Sequence, residues 1–312
     1  MKKKIAWAIT GAGCWLFESF EALGDLMEKQ EVEVDLFFSS AAREVAQCYG
    51  VFRPPIPEAE GYIDTVRELP NFNLAIFTGE FIEKFQWLGS KKEQLKKKMS
   101  EGTKSTAPSH ETQNNEEEDY ALIEQLIEEK LHDVIFENDE GASYPSAARA
   151  ANDKYDYIII SPATGNTVAK IATGIADNLV TNLAVLGSKT KKTTIFVVPT
   201  DFKEGDVISY LPVMLHPDTC KKCDECSALW ACQQGAIRRK RGRIRLNRLL
   251  CIGCLDCVRF CRHGIITFLE EIKVTVHKRE VEAAKQLDKW NNISVMDTPQ
   301  KALKAIEKDL AS

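Results

Sequence analysis

Short apolar runs alternate along most of the chain with segments whose apolar residues recur at helical spacing. The apolar runs predict strands at residues 5–9, 34–38, 74–77, 134–136, 157–160 and 194–198. The helical stripes are Phe17, Phe20, Leu23 and Met27 in one segment and Leu122, Ile123, Leu126 and Ile127 in another. Strands that alternate with helices form a parallel sheet covered by helices on both faces. The pattern therefore predicts an α/β fold, a three-layer doubly wound parallel sheet.

The same alternation returns near the C-terminus, after a stretch rich in cysteine. It predicts a strand at 274–277, a helix at 279–289, a strand at 293–296 and a helix at 298–310. We therefore expect an α/β domain at 1–215, an inserted α+β module at 216–270, and the rest of the α/β domain at 271–312. Residues 91–119, lysine-rich and then polar and acidic, have the composition of a flexible insertion.

Composition limits the class of protein. The chain has 312 residues, of which 44% are hydrophobic, and a net charge of −5, which argues against a general nucleic-acid binder. No apolar stretch reaches the roughly twenty residues that span a bilayer. The basic and apolar start resembles a signal peptide, but its apolar run has the length of one strand and Glu18 follows at once. We expect a cytoplasmic protein without a membrane or nucleic-acid partner.

Eight of the ten cysteines fall into two tandem groups whose spacing is that of iron–sulfur ligands. Each group has three cysteines separated by two residues and a fourth cysteine further on. In bacterial ferredoxins the fourth thiolate binds the cluster of the other group. Two 4Fe-4S clusters are therefore predicted, one held by Cys220, Cys223, Cys226 and Cys261 and one held by Cys251, Cys254, Cys257 and Cys232. Zinc ribbons and disulfides are the alternatives, but zinc takes four ligands and does not require the third cysteine of each run.

About fifty residues around these cysteines resemble two-cluster ferredoxins. Two features depart from that family. Gln233 and Arg262 stand where the family places proline after the fourth cysteine, and five residues rather than three precede Cys232.

A cluster of basic residues connects the two cysteine groups. Its members are Arg238, Arg239, Lys240, Arg241, Arg243, Arg245 and Arg248. The segment is predicted to be a hairpin around Gly242. Its charges either keep an exposed strand edge solvated or form a docking patch for an acidic redox partner or an anionic substrate.

Turns rich in Gly, Ser and Thr follow three of the predicted strands. They contain Gly11, Ala12 and Gly13 in the first, Ser39 and Ser40 in the second, and Ser161, Pro162, Ala163, Thr164, Asn166 and Thr167 in the third. The carboxyl edge of an open α/β sheet binds phosphate through free amides and helix N-termini. The alternatives are a glycine turn without ligand, a helix N-cap at Thr164 or Asn166, and a turn at Pro162.

The run at 162–179 resembles the signature of the flavin-containing cysteine decarboxylase-like flavoproteins. Within that superfamily the chain is most similar to the archaeoflavoprotein and dihydromethanopterin reductase (acceptor) group, outside the cysteine module and 91–119. The likeness includes 199–201 and 276–282.

The resemblance implies an FMN cofactor. The turn at 11–13 with Ser39 and Ser40 would hold the ribityl phosphate, and Ala163, Thr164, Asn166 and Thr167 would line the isoalloxazine side. It also implies homo-oligomers built from trimers. Decarboxylation is not expected, because no histidine lies between Met1 and Ser109 where the decarboxylases of the superfamily carry one.

These parts predict an FMN-dependent oxidoreductase. A low-potential donor such as a ferredoxin would reduce the clusters, the clusters would reduce FMN, and FMN would reduce an organic acceptor. The resemblance suggests a pterin, such as 7,8-dihydromethanopterin, as that acceptor. The alternative is an electron-transfer protein between two protein partners. Thiol chemistry at Cys14 or Cys48 is the weakest interpretation, since isolated cysteines are usually small core residues, and no catalytic side chain is identified.

Overall fold

The computed structural model describes residues 2–51, 131–220 and 223–310. The strand predicted at 74–77, the helical stripe at 122–127 and the insertion at 91–119 lie outside the described residues.

The described residues form one large sheet of parallel strands, as the alternating pattern predicted. Its strands are β1 (Lys3–Ile9), β2 (Val32–Phe38), β3 (Leu131–Phe136), β4 (Tyr157–Ala163), β5 (Thr194–Pro199) and β12 (Ile293–Val295). Their order across the sheet is β12-β5-β4-β1-β2-β3, and every neighbouring pair is parallel. The carboxyl ends of β1, β2, β4 and β5 therefore meet at one edge.

Helices cover both faces of this sheet and complete the three layers. On one face lie α1 (Leu16–Lys29), α2 (Ser40–Cys48) and α8 (Pro299–Leu310), and on the other lie α3 (Gly165–Ala172), α4 (Leu179–Ser188) and α7 (Lys278–Leu287). Successive side chains of a strand point to opposite faces. In β1, Trp7 and Ile9 belong to the first apolar layer, whereas Ala6 and Ala8 belong to the second. None of the described helices combines the length and apolar character needed to cross a bilayer.

The C-terminal elements return to the α/β domain. The strand β11 (Glu270–Val276) leads into α7, β12 adds to the sheet beside β5, and α8 packs on α1. The observed elements match the predicted ones within a few residues. They are consistent with an inserted module, while its boundaries at 216 and 270 stay a prediction.

The cysteine-rich segment leaves and re-enters the α/β domain through a pair of antiparallel strands. The strand β6 (Gly205–Leu211) pairs along its length with β11, and Leu211 faces Glu270. Beyond this pair lie β7 (Met214–Leu215), α5 (Ser227–Ala231), β8 (Ile237–Lys240), β9 (Arg243–Leu246), α6 (Asp256–Phe260) and β10 (Ile266–Thr267), with β7 and β10 also antiparallel.

The hairpin predicted around Gly242 is confirmed. The strands β8 and β9 are antiparallel and are joined by Arg241 and Gly242, whose φ angles are 51° and 74°. Positive φ at both turn positions matches the right-handed twist of the strands, and glycine adopts it without strain.

Candidate functional site

The turn after β1 is joined to the turn after β4 through Thr10. The Thr10 hydroxyl donates to the carbonyl of Pro162 at 2.7 Å and accepts from the backbone N–H of Thr164 at 2.9 Å. The backbone N–H of Thr10 also donates to Pro162. This bonding brings together two of the three turns that the sequence identified.

Gly11 and Gly13 each lie against a side chain of the first helical layer. A Cβ on Gly11 would lie 2.6 Å from the Cβ of Ala41, and a Cβ on Gly13 would overlap the hydroxyl of Tyr49. Ala12 between them is buried. Close packing therefore requires both glycines, and the phosphate role of this turn stays a prediction.

The second and third turns begin helices with a side-chain cap. Ser39 caps α2 by accepting from the N–H of Ala42, and Thr164 caps α3 by accepting from the N–H of Thr167. The N-cap alternative is therefore realised at Thr164, whereas Asn166 is exposed and does not cap the helix. The N–H of Ser40 donates to the Glu137 carboxylate at 3.1 Å.

The residues at the end of β4 support the site from beneath. Ser161, Pro162 and Ala163 are buried. The Ser161 hydroxyl bonds to that of Ser19 at 2.7 Å, and its carbonyl accepts from the indole N–H of Trp7. Their side chains shape this edge of the sheet rather than project from it.

An acidic group adjoins these turns. Asp201, which follows β5, lies close to Gly165. A Cβ on Gly165 would overlap the carboxylate of Asp201. Burial raises the pKa of Asp201, and the charge of Glu280 adds to this effect. Individually, neither acid was predicted as a site residue, although both fall in runs that carry the family resemblance, 199–201 and 276–282.

Cys14 is not an activated nucleophile. Burial raises the pKa of its thiol to about 11, and the charges of Glu18 and Asp201 contribute. Cys48 behaves similarly, since burial raises its pKa to about 11 as well. Nucleophilic thiols require the thiolate. Both protonated thiols therefore disfavour thiol chemistry.

One predicted cluster ligand set surrounds a common pocket. The pocket is lined by Cys232, Cys251, Cys254 and Cys257. Its other walls are mostly apolar, from residues that include Val213, Ala236, Ile237, Leu246 and Leu255. Four thiols around one pocket are the donor set that an iron–sulfur cluster requires.

Burial raises the pKa of three thiols of this pocket, those of Cys251, Cys254 and Cys257. Burial raises the pKa of Cys254 to about 11 and that of Cys257 further, with the neighbouring cysteines contributing in both cases. A metal cluster binds thiolates, so its assembly would release the protons of these thiols.

The other ligand set lies nearer to the surface. Cys220, Cys223, Cys226 and Cys261 are all partly exposed. Cys226 and Cys261 are brought together by α5 and α6. Ser227, which follows Cys226, donates its hydroxyl hydrogen to the carbonyl of Phe260, which precedes Cys261.

The C-terminal end of α2 lies between the cysteine pocket and the turn after β1. The Cys48 thiol donates to the carbonyl of Arg248 at 3.2 Å, and the Tyr49 hydroxyl donates to the carbonyl of Tyr210. Burial raises the pKa of Tyr49, so its hydroxyl stays protonated. The sequence contained no signal for Tyr49, because it belongs to no motif or periodic stripe.

The chain is similar to known proteins over almost its whole length. The Flavoprotein family model matches residues 1–214. The chain is 30% identical to dihydromethanopterin reductase (acceptor) from Methanosarcina mazei, over 96% of this chain and 98% of that protein. It is also 30% identical to the protein of the same name from Methanocaldococcus jannaschii, over 96% of this chain and 94% of that protein.

A shorter similarity covers a segment of the chain. An iron-sulfur protein of Rhodospirillum rubrum is 36% identical over 58 residues, which are 19% of this chain and 30% of that protein.

Proposed function

The chain belongs to the Flavoprotein family, and we propose that it passes electrons from a donor protein through two 4Fe-4S clusters to FMN, which then reduces a pterin. It is an oxidoreductase similar to dihydromethanopterin reductase (acceptor) and carries a ferredoxin-like iron–sulfur segment. The observation that carries this proposal is the position of α2. Its C-terminal end contacts the cysteine pocket and also the turn at Gly13.

The two kinds of cofactor divide the redox chemistry between them. A flavin accepts electrons singly and delivers them as a pair, whereas each cluster passes one electron at a time. The protein contributes binding, orientation and exclusion of water.

FMN lies at the carboxyl edge of the parallel sheet in this proposal. Gly11, Gly13 and Ser40 border the phosphate, and Thr164 and Asn166 border the ring. The incomplete dinucleotide fingerprint favours FMN over FAD.

The clusters are assigned to the two ligand sets that the cysteine spacing predicted. One set, Cys232, Cys251, Cys254 and Cys257, is supported by its shared pocket. The other set, Cys220, Cys223, Cys226 and Cys261, is supported by the bond between Ser227 and Phe260.

The donor is an acidic one-electron carrier protein that docks on the basic hairpin. Two cross-strand pairs, Arg238 with Arg245 and Lys240 with Arg243, place like charges directly opposite each other. Such pairs destabilise a hairpin, so hairpin stability does not account for them. Trp230, 78% exposed beside the more accessible cysteines, adds an apolar contact to this surface.

The pterin acceptor rests on the name of the two full-length relatives. Assembly into trimers or multiples of trimers and the module boundaries at 216 and 270 are part of the same proposal.

The proposal is tested on protein purified without oxygen. It requires about eight iron and eight sulfide per chain, four of each for every cluster, together with one FMN. The reduced protein is then mixed with dihydropterins while the flavin absorbance is followed. Reoxidation of the flavin with formation of a tetrahydropterin supports the enzyme. If several pterins fail to oxidise the reduced flavin but a protein acceptor oxidises it, the protein is an electron carrier rather than an enzyme.

A further inference from the structure

The segment 48–50 touches the chain around Cys251, a residue of the cysteine pocket, at two points. The Cys48 thiol bonds to the carbonyl of Arg248, three residues before Cys251. Gly253, between Cys251 and Cys254, packs against the backbone of this segment. A Cβ on Gly253 would be 2.6 Å from the backbone nitrogen of Gly50 and 2.9 Å from the carbonyl oxygen of Cys48. One peptide backbone therefore packs directly on the loop that carries Cys251 and Cys254.

The same segment touches the proposed flavin turn on its other side. The hydroxyl of Tyr49 occupies the space where a side chain of Gly13 would lie. The Tyr49 ring is held by an edge contact with Phe17, with ring centroids 5.8 Å apart. Tyr49 is 7% exposed, so this path excludes water.

We propose that the segment 48–50, which we term the bridge, carries electrons between the two cofactor sites, with Tyr49 as its positioning residue. The cluster held by Cys232, Cys251, Cys254 and Cys257 is then the one that reduces the flavin. The cluster of the more exposed set receives electrons from the donor. This inference rests on the proposed function, because it requires that both cofactors bind.

Electron balance follows from one-electron steps. A reduced one-electron carrier protein, such as an iron–sulfur protein, is oxidised by one electron at each encounter. Two such electrons cross the bridge in succession, and the bound flavin gains both electrons together with protons from water. No bond of the bridge forms or breaks, and Tyr49 keeps its proton.

The order of the clusters is tested with two matched variants, Cys254→Ala and Cys223→Ala. Each is expected to lose one cluster and keep the other. With dithionite as reductant, Cys223→Ala should still reduce its flavin through the remaining cluster. This reduction should be faster than that of the flavin in Cys254→Ala by about tenfold or more. The reverse pattern would overturn the assignment.

The bridge is tested with Tyr49→Leu and Tyr49→Phe. The phenylalanine variant keeps the ring and should keep most of the rate of electron transfer from cluster to flavin. The leucine variant should lower this rate by about tenfold. The reduction potentials of both cofactors, measured by spectroelectrochemical titration, should stay unchanged, so that the slower rate reflects the path rather than the driving force. An unchanged rate in Tyr49→Leu would refute the role of Tyr49.

Hydrogen exchange provides a readout independent of turnover and of the Tyr49 variants. Cluster loading should protect the backbone amides of 48–50 in the parent protein and in Cys223→Ala, but not in Cys254→Ala. Equal exchange in all three proteins would contradict the contact. Iron and flavin analysis of the parent protein distinguishes failure of the proposed function from failure of this inference. Absent cofactors refute the proposed function, whereas bound cofactors with the wrong transfer order refute only this inference.

Discussion

Gly253 packs against the backbone of Gly50, and only glycine fits at this position. A Cβ on Gly253 would lie 2.6 Å from the nitrogen and 2.8 Å from the Cα of Gly50. Its φ of 65° is in the left-handed region, which disfavours other residues. This contact fixes the loop that carries Cys251 and Cys254 on the C-terminal end of α2.

Gly253→Ala is expected to destabilise the module and to weaken its contact with α2. Left-handed strain and overpacking each cost about 1 to 3 kcal/mol. The control is Gly242→Ala, because Gly242 has a φ of 74° but nothing within 4 Å of its added Cβ. Anaerobic thermal unfolding and iron analysis compare the two. An equal loss in both variants would mean that strain alone, and not the contact with Gly50, matters.

Asn166→Leu is expected to lower flavin occupancy without lowering stability. Asn166 is exposed and does not cap α3, so its substitution should change stability by no more than about 0.5 kcal/mol. The control is Ala169→Leu, also on an exposed position of α3. Flavin content and iron content are measured after anaerobic purification. Full flavin content in Asn166→Leu would remove this residue from the site.

Salt should slow the reduction of the clusters by an acidic donor protein. Screening shortens the reach of charges to about 8 Å at physiological ionic strength. Reversing the exposed charges of Lys240, Arg243 and Arg245 to glutamate should lower the association rate and abolish most of its salt dependence. Reversal of Lys189, Lys191 and Lys192, exposed in the approach to β5, is the matched control. A rate independent of salt in the parent protein would leave the hairpin as a solvated edge.

Deletion of the module should leave a folded flavoprotein. Leu211 and Glu270 are antiparallel neighbours, so an Asn-Gly turn in place of residues 212–269 would convert β6 and β11 into a hairpin. We expect the shortened protein to bind FMN and to bleach with dithionite. Because the deletion removes the residues packed on Cys48 and Gly50, its thermal midpoint should fall. An insoluble product would place part of the α/β core inside the deleted segment.

Asp35 should stabilise the fold in a manner that depends on pH. Burial alone would raise the pKa of this 2% exposed carboxyl, but hydrogen bonds from Tyr155 and His132 and the charge of Lys154 outweigh it and lower the pKa. A lowered pKa gives stability that is present above the unfolded value of about 3.9 and is lost as the pH falls through the folded value.

Asp35→Asn should therefore cost about 3 to 5 kcal/mol near neutral pH, and the deficit should shrink below about pH 4. Asp133→Asn is the control, since Asp133 also binds Arg149 but is 36% exposed, and should cost no more than about 1 kcal/mol. Denaturant unfolding between pH 3 and 7 measures both. A deficit that does not change with pH would assign the effect of Asp35→Asn to packing.

Much of the architecture is visible in local patterns of the chain. The strand β1 and the helix α1 follow from apolar periodicity, and the turn at Gly242 follows from composition. Cysteine spacing predicted that Cys232 groups with Cys251, Cys254 and Cys257, and these four residues line one pocket. Each of these signals lies within a short stretch of the chain, so the sequence alone reveals it.

The tertiary structure decided what depends on residues distant in the chain. The strand β6, half exposed and without a clear apolar face, exists because β11 pairs with it some sixty residues later. Thr164 was one of two candidate caps in the sequence, and only the structure shows that its hydroxyl accepts from the N–H of Thr167. Tyr49 gave no signal at all, since its importance lies in touching Gly13 and adjoining Gly253. Periodicity and spacing encode local conformation, whereas contacts between remote segments arise only when the whole chain packs.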